Sequence, residues 1–393
     1  MGHREERFWP ADPTAYVPRG QRSGVYEVFI PAPIATRDFS FDSPDVAAIV
    51  DAQNALTQLN ATPPSLTTLG ALARTLLRSE SAASSRIEGV RISQRRLARA
   101  AYEDAKGRRD PRAAEVLGNV KAMERAIELG SGASPFAASN ITDIHRTLLR
   151  FTEDAEIAGV LRDKQNWIGG NDYNPIGATY VPPPPEHVVS LLEDLCAFIA
   201  RRDIAPIAQA GIVHAQFENI HPFADGNGRV GRALIYAVLS RRGEVAGYIP
   251  PISLVLAAEP KAYVGGLGAY SRGDVSGWCG RFAHAAGRAA RRAEQLADAI
   301  QARQEQWLER LGRPRRDSAA RQLVSALPAQ PVIDVPIAQE LTGKSHVAVG
   351  AALTQLAGAG IITPLSERRW GRAWECVELL DLVGRFERGV FTP

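Results

Sequence analysis

Apolar residues recur with helical spacing over most of the chain. Between residues 211 and 220 they stand three or four positions apart, which predicts a buried helix that runs up to His221. Residues 233–239 read Ala-Leu-Ile-Tyr-Ala-Val-Leu and predict a second, almost wholly apolar helix. The polar loop between these two helices is therefore expected to be held rigidly at both ends by the core.

The same spacing predicts many further helices, so we expect the fold class to be mainly α. They are predicted at residues 46–60, 65–79, 91–102, 111–129, 140–150, 186–201 and 274–310, with another starting at Pro250. The first 45 residues are instead rich in Pro, Gly and Arg, and only residues 25–30 alternate as a strand does. We expect residues 1–45 to form an extended arm lying on the body of the protein.

A separate C-terminal domain is predicted after a linker at residues 311–316 that is rich in Gly, Pro and Arg. Within residues 317–393, helices are predicted at 317–326, 337–341 and 346–357, and strands at 361–365 and 373–377 around a turn at 367–371. This order of elements resembles a winged helix.

The charges of this domain bear on its partner. Its third predicted helix has no Lys or Arg, and only the wing, with Arg368, Arg369 and Arg372, is basic. Reading of DNA by such a helix needs base-contacting donors and phosphate-binding charges. We therefore favour a protein contact or a homodimer for this domain, and DNA binding stays an open alternative.

Composition limits the classes of protein that remain. The length of 393 residues suits two or three units, and the net charge of only +3 creates no general field for nucleic acid. Three widely separated cysteines give no disulfide framework and no zinc spacing. No apolar run reaches the ~20 residues needed to span a bilayer, and the polar N-terminus lacks a signal-peptide core. We expect a cytoplasmic protein with no membrane contact.

The loop at residues 221–232 reads His-Pro-Phe-Ala-Asp-Gly-Asn-Gly-Arg-Val-Gly-Arg and concentrates the chemistry of the chain. The Gly-Asn-Gly turn at 226–228 can adopt left-handed backbone angles, so its amides can point inward as an anion nest at a helix N-terminus. Arg229 and Arg232 lie one turn apart and can fork onto phosphate oxygens. This part of the loop is predicted to bind phosphate.

Two further side chains of the loop suit transfer of a phosphorus group. Asp225, beside a phosphate, is the natural ligand for Mg²⁺, which prefers one or two carboxylates together with substrate phosphates. His221, with an ordinary pKa near ~6.5, is largely neutral at pH 7 and can accept a proton from a hydroxyl. Base, metal ligand and phosphate cradle are together what such a transfer requires.

Two other kinds of site fit these residues less well. A Walker loop is excluded, because no Lys-Ser/Thr follows the glycines. A metal cluster on His214 and His221 fits the helical phase but has no third ligand at a suitable spacing. We therefore interpret His214 as a core histidine.

The loop matches the Fic-domain motif HxFx(D/E)GNGRxxR at every specified position, so the chain resembles Fic proteins over about residues 30–310. The resemblance implies a helical Fic core and transfer of AMP from ATP to a protein Ser, Thr or Tyr hydroxyl, a nucleotidyltransferase activity. It implies that His221 is the general base, that Asp225 holds Mg²⁺, and that Phe223 anchors the loop. The nucleotide would be bound by Gly226, Asn227, Gly228, Arg229, Val230, Gly231 and Arg232.

A second segment, Ser-Ser-Arg-Ile-Glu-Gly at 84–89, matches the inhibitory motif (S/T)xxxE(G/N) of Fic proteins. Gly89 also suits a helix C-cap, which is a purely structural explanation of the glycine. The resemblance implies that Ser84 and Glu88 belong to an N-terminal inhibitory helix, with Glu88 pairing with Arg232 and competing with the γ-phosphate of ATP.

Residues 159–185 are rich in Gly, Pro and Asn and predict a long ordered loop or hairpin. Their place and content resemble the Fic flap, which holds the target segment by backbone pairing. Asn166, Trp167, Ile168 and Gly169 would dock the target; a surface loop with a structural Trp is the alternative.

Tyr263 resembles the aromatic residue that lines the adenine pocket of the family, and simple packing is the alternative for it. Taken together, we expect a Fic core with a short β-hairpin flap and a small winged-helix domain. The domains are predicted at 1–45, 46–130, 131–310 and 317–393. The partners would be Mg²⁺, ATP and a protein substrate, for which the chain itself is one candidate. The alternative is a DNA-binding regulator whose Fic core senses nucleotide.

Overall fold

A computed structural model describes residues 2–11, 23–61, 69–108, 110–245, 248–365 and 372–389. Helices account for most of these residues, which confirms the mainly α fold class. The helices are α1 Ser43–Ala61, α2 Leu69–Ile87, α3 Gln94–Asp104, α4 Pro111–Ser131, α5 Ala138–Leu149, α6 Val188–Ile199, α7 Pro206–Ile220, α8 Asn227–Arg241, α9 Ile252–Leu256, α10 Pro260–Ser271, α11 Val275–Arg310, α12 Ala319–Ala326, α13 Val335–Thr342, α14 His346–Gly358 and α15 Val377–Glu387. The strands are β1 Gly2–Trp9, β2 Gly24–Pro31, β3 Val332–Asp334, β4 Thr363–Pro364 and β5 Ala373–Glu375.

The chain divides into two compact units, each built from several separate stretches. The first unit comprises Met1–Gln53, Lys121–Gly243 and Glu259–His284, and the second comprises Asn54–Val120, Glu244–Ala258 and Ala285–Pro393. No helix among the described residues is long and apolar enough to cross a membrane.

Helices α7 and α8 form the centre of the first unit, and α5, α6 and α10 pack around them. Nearly every residue of both central helices is buried, as the apolar pattern predicted. Helix α4 also approaches α8 at its backbone, because a Cβ on Gly130 would lie 2.3 Å from the carbonyl oxygen of Ala237. The loop between α7 and α8 therefore begins and ends in a core that is packed on several sides.

The N-terminal segment of the first unit forms a strand pair, whereas the sequence predicted a single strand within an extended arm. β1 and β2 pair antiparallel from Gly2–Pro31 to Trp9–Gly24. The first strand reads Gly-His-Arg-Glu-Glu-Arg-Phe-Trp, and its charged residues hide the apolar alternation on which strand prediction depends. The N–H of Phe29 donates to the carbonyl of Val181 at 2.9 Å, which ties β2 to the chain beyond the predicted flap.

In the second unit, α12, α13 and α14 pack together, and the strands form an antiparallel sheet in the order β3-β5-β4. The predicted helices of this domain are present, and the winged-helix assignment stays a prediction. The predicted strand at 373–377 was wrong at its end, because β5 stops at Glu375 and Val377 begins α15. The wing residues 367–371, including Arg368 and Arg369, and the start of the helix predicted at 65–79 lie outside the described residues.

Candidate active site

The loop between α7 and α8 is bounded by two left-handed residues. His221 ends α7 with φ 49°, and its N–H donates to the carbonyl of Phe217 at 2.9 Å. Gly226 caps the start of α8 with φ 78°. A left-handed conformation costs a non-glycine residue about 1–2 kcal/mol, so His221 keeps this backbone only because its surroundings impose it.

Phe223 and Asn227 lock the middle of the loop. The Asn227 side chain accepts the N–H of Phe223 at 2.9 Å and donates to the carbonyl of the same residue at 2.8 Å. Phe223 itself is completely buried, in agreement with its predicted anchoring role. Since the Asn227 amide group is engaged in this way, any contact of Asn227 with phosphate would come through its backbone N–H.

His145, on α5, packs against the same loop and hydrogen-bonds to it. Its ring stacks on that of Phe223 with centroids 3.8 Å apart. Its Nδ1 accepts the N–H of Gly159 at 2.9 Å, so its Nε2 carries the proton and donates to the carbonyl of Asp225 at 3.0 Å. Desolvation lowers the pKa of His145 to about 4, which keeps this tautomer uncharged at neutral pH.

Arg162 holds the backbone of the loop beside the base. Its Nε donates to the carbonyl of His221 at 2.8 Å, its backbone N–H donates to Pro222, and its Nη2 reaches the carbonyl of Pro183. Desolvation lowers the pKa of Arg162 to about 10, so it stays cationic at neutral pH. Arg162 could not be singled out from the sequence, because its partners lie on three separate segments of the chain.

Three titratable side chains follow one face of α7 and its C-terminus. Glu218 lies between two imidazoles, with its oxygens 3.9 Å from Nδ1 of His214 and 4.0 Å from Nδ1 of His221. The Glu218 and His221 side chains are mostly buried, and His214 is completely buried, as predicted. Desolvation and the charge of Arg232 lower the pKa of His214 to about 3, so His214 carries no positive charge at neutral pH.

Gly231 makes room for this carboxylate. A Cβ at Gly231 would lie 2.4 Å from Oε1 of Glu218 and 3.0 Å from Cδ1 of Phe217, so the Glu218 carboxylate would have to move. The glycine just before Arg232 thus allows α8 to pack closely against Glu218. Val230, which follows Arg229, is completely buried. Because Gly231 has no side chain and that of Val230 is buried, any role of these two residues in nucleotide binding would involve their backbone.

Asp225 forms the exposed edge of the site and pairs with the buried Arg229. The Asp225 carboxylate is 2.9 Å from Nη2 of Arg229 and keeps 58% of its side chain exposed, whereas the Arg229 and Arg232 side chains are buried. An exposed carboxylate beside a phosphate cradle fits the coordination that Mg²⁺ prefers. The described residues contain no group of three or more His, Cys, Asp or Glu that could hold a metal ion.

The predicted flap is a short hairpin. Ile168 bridges Tyr180 antiparallel, with the N–H of Ile168 donating to Tyr180 at 2.8 Å. Gly169 adopts φ 73° next to this bridge, and the Tyr180 hydroxyl donates to the carbonyl of Asn219 at 2.7 Å. Ile168 is 44% exposed. The hairpin therefore stands on the end of α7 and presents an apolar residue outward.

The two other flap residues anchor the hairpin. Asn166 Nδ2 donates to the carbonyl of Phe223 at 3.0 Å, which joins the flap directly to the loop. Trp167 Nε1 donates to the carbonyl of Asn171 at 2.7 Å, and its ring meets that of Trp9 edge to face at 5.8 Å. Trp167 thus packs within the first unit, the structural role that the sequence left open for it.

Tyr263 lies in the core of the first unit beneath α7. Its hydroxyl is 2.8 Å from Nε2 of His214, and its ring is 6.4 Å from that of Trp278. Only 7% of Tyr263 is exposed. Packing therefore accounts for this residue, and its assignment to an adenine pocket stays a prediction.

The predicted inhibitory motif belongs to the second unit. Ser84 is completely buried in α2, while Glu88 lies exposed in the turn that follows this helix. Gly89 adopts φ 86°, its N–H donates to Arg86 at 3.0 Å, and the next N–H donates to Ser85 at 3.0 Å. This pattern is that of a glycine C-cap, as predicted.

Acid should destabilise the fold through the two buried histidines. Below pH ~6.5 both histidines bind protons in the unfolded chain, whereas His145 and His214 of the folded protein stay uncharged. The free energy of unfolding therefore falls as the pH falls. At pH 5 each histidine should cost about 2 kcal/mol. Chemical denaturation between pH 5 and 7.5 tests this: His145→Asn should make the pH dependence shallower, and His284→Ala, at an exposed histidine, should not. Equal slopes for His145→Asn and the unchanged protein would contradict the prediction.

Comparison with known proteins agrees with this geometry. Residues 135–239 match the model of the Fic/DOC family, and residues 46–128 match that of the Fic/DOC family N-terminal region. The chain resembles a solved Fic family protein from Desulfovibrio desulfuricans G20, with a TM-score of 0.53 and 20% identity over 86% of this chain and 97% of that one. It also resembles Fic-1 (aa134–508) from C. elegans, with a TM-score of 0.50 and 23% identity over 65% and 73%. Residues 135–239 thus match a Fic/DOC domain, and the solved Fic proteins share the fold of the chain.

Its curated relatives carry the name protein adenylyltransferase. The chain is 31% identical over 140 residues to protein adenylyltransferase fic-1 of Caenorhabditis elegans, covering 35% of this chain and 24% of that protein. It is 34% identical over 120 residues to protein adenylyltransferase Fic of Aedes aegypti, covering 29% and 20%. The matched region thus spans about a quarter or less of these relatives. Within this limit, the likeness to the Fic/DOC family holds for residues 46–128 and 135–239.

Proposed function

We propose that this protein is an adenylyltransferase that moves AMP from ATP to a Ser, Thr or Tyr hydroxyl of a protein. The observation that carries the proposal is the loop at 221–232, where an imidazole and a helix N-terminus with two arginines are fixed by buried contacts. The hydroxyl oxygen attacks the α-phosphorus of ATP, the bond to the bridging oxygen of the β-phosphate breaks, and pyrophosphate leaves. His221 accepts the hydroxyl proton.

The N-terminus of α8 would bind the triphosphate. The amides at 226–228 and the guanidinium groups of Arg229 and Arg232 supply donors and positive charge for the phosphate oxygens. Mg²⁺, held by Asp225, would neutralise charge that develops on the phosphates. Since Asp225 contacts Arg229 at 2.9 Å, we propose that this ion pair keeps the carboxylate in place until the nucleotide arrives.

The surrounding residues would position the base. Glu218 lies 4.0 Å from Nδ1 of His221, where a carboxylate favours the Nδ1–H tautomer and leaves Nε2 to accept the proton. Contacts of this kind are often long in a protein without substrate and shorten in the complex. Arg162 donates to the backbone carbonyl of His221, so His221 is positioned through its main chain by Arg162 and through its imidazole by Glu218.

The flap would hold the protein substrate. Ile168 and Gly169 present backbone and an exposed apolar side chain, and an extended target segment can add to such a hairpin by strand pairing. Asn166 connects the flap to the loop through Phe223. The target hydroxyl would in this way be brought to the base.

We further propose that Glu88 restrains the activity by pairing with Arg232. A charge-assisted bidentate pair is worth roughly 1.5–3 kcal/mol, so Glu88→Gly should raise AMP transfer by about 10- to 100-fold. Transfer of label from ATP carrying ³²P at the α-phosphate into protein measures this directly. Equal transfer by Glu88→Gly and the unchanged protein would refute the restraint, and no transfer by either would refute the proposed function.

DNA-linked regulation is less well supported. Helix α14 has no Lys or Arg, and its exposed face includes Val347, which is 80% exposed. Such a face suits a protein contact, including one with a second copy, better than a phosphate backbone. The three cysteines are buried free thiols, which supports our placement of the enzyme in the reducing cytoplasm.

A further inference from the structure

The second unit contains a cavity of about 520 Å³ that the proposed reaction does not use. It lies between the end of α2, the segment leading into α3, and α15. Its volume falls within the range of about 300–1,000 Å³ that small-molecule sites occupy. We refer to it as the α2–α15 cavity.

The lining of the α2–α15 cavity is rich in guanidinium groups. Its ionisable residues are Arg86, Arg91, Arg95, Arg388, Asp381 and Glu387. Arg95 is already engaged, because its guanidinium bonds to Glu375. For Arg86, Arg91 and Arg388, no side-chain hydrogen bond or ion pair is found within the described part of the chain.

The carboxylates of the cavity do not cancel this charge. Desolvation raises the pKa of Glu387 to about 7, although Arg86 and Arg388 oppose the rise, so Glu387 is only partly ionised at neutral pH. Gln94 donates to the same carboxyl group. Asp381 then stands against three guanidinium groups, which leaves the cavity with a net positive charge.

We infer that the α2–α15 cavity binds a small molecule with two linked phosphate groups. Guanidinium groups bind phosphate through paired, charge-assisted hydrogen bonds, and three of them can cover a diphosphate. Ile92 and Leu380 form an apolar part of the wall. The volume that a diphosphate leaves free is therefore suited to an attached apolar group.

Binding here would act on the turn that carries Glu88, a consequence that rests on the proposed function. Arg86 and Arg91 flank this turn in sequence, and Gly89 gives it a left-handed residue. An anion that bridges Arg86 and Arg91 holds both ends of the turn, and Arg388 fastens the same anion to α15. The ligand would thus stabilise one position of Glu88.

Pyrophosphate is the simplest probe of the cavity. Calorimetry would measure its affinity for the full chain, and hydrogen–deuterium exchange would locate it. We expect protection at residues 86–95 and 380–388. Arg91→Ala with Arg388→Ala should weaken this binding by at least about 10-fold and abolish the protection. Arg385→Ala, on the same helix but outside the lining, should change neither.

Three results would overturn the inference. Pyrophosphate that protects only residues 221–232 would be bound by the catalytic loop alone. Unchanged protection in the double variant would exclude the arginines as ligands. Salt-dependent binding of duplex DNA, lost in the double variant while pyrophosphate fails to bind, would assign the arginines to nucleic acid.

The outcome is independent of the catalytic proposal. Binding and exchange at 86–95 need no AMP transfer, so the cavity can be confirmed even if labelling by ATP fails. Conversely, labelling that depends on His221, with no protection at the cavity, would support the adenylyltransferase proposal and exclude the α2–α15 cavity as a diphosphate site. The double variant and Arg385→Ala should both stay folded without anion, because these side chains make no hydrogen bond or salt bridge among the described residues. Thermal melting of each variant checks this.

Discussion

Replacement of His221 by alanine is expected to reduce AMP transfer by about 10²- to 10⁴-fold, the usual contribution of a general base. The imidazole is the base nearest to the phosphate cradle along the loop, and Glu218 stands 4.0 Å behind it. Transfer of the α-phosphate label into protein is the measurement. His284→Ala is the matched control, because it removes an exposed histidine elsewhere in the first unit and should leave transfer unchanged.

The His221 variant should still bind Mg-ATP. The loop is held through the His221 carbonyl by Arg162 and through Phe223 by Asn227 and His145, and none of these contacts needs the imidazole. Calorimetric titration of ATP therefore separates loss of the base from collapse of the site. Full transfer by the variant, or loss of ATP binding together with transfer, would contradict the assignment of His221 as base.

The sequence predicted the backbone of the loop at residues 221–232 well because its determinants are local. Apolar spacing identified α7 and α8, and the glycines identified the left-handed cap at Gly226. The same holds for the C-cap at Gly89 and for the flap hairpin around Ile168. Each of these features is decided by residues within a few positions of one another.

The supports of the loop could not be predicted in the same way. His145 contacts Asp225 across 80 positions and Arg162 contacts His221 across 59, so neither role leaves a pattern in the nearby sequence. Glu218 has a local pattern, since it stands at helical spacing from His214 and His221. The prediction considered only His214 and His221 on this face, rejected a metal cluster for lack of a third ligand, and gave Glu218 no role.

Elements with short or charged sequences were missed for a related reason. The strand β1 carries charges on both faces and depends on its partner β2. The strand β3 has only three residues and is completed by β5, which lies some 40 positions later. In both cases the pairing partner decides the structure, and single-segment periodicity contains no information about it.

The second unit depends on a buried carboxylate whose partners are exposed. Glu375, on β5, is 1% exposed, and Arg95 and Arg99 of α3 reach it with half-exposed side chains. Desolvation would raise the pKa of Glu375, but hydrogen bonds from Arg99 and Arg95 outweigh it and keep the pKa below its ordinary value. These ion pairs therefore join α3 to the β3-β5-β4 sheet, with a buried carboxylate on one side and half-exposed guanidinium groups on the other.

This difference in burial predicts that removing the arginines and removing the carboxylate will lower the free energy of unfolding by different amounts. Arg95→Ala with Arg99→Ala leaves a buried carboxylate without a cation and should cost about 3–5 kcal/mol of unfolding free energy. Glu375→Gln removes the charge that is expensive to bury and leaves two arginines that water can solvate, so it should cost less, about 1–3 kcal/mol. Urea denaturation of the full chain measures both values. Combining all three substitutions should recover part of the loss, because the buried charge is then gone. Equal costs for the two sides would mean that Glu375 is solvated in solution and that the link between α3 and β5 is not an ion pair sealed from water.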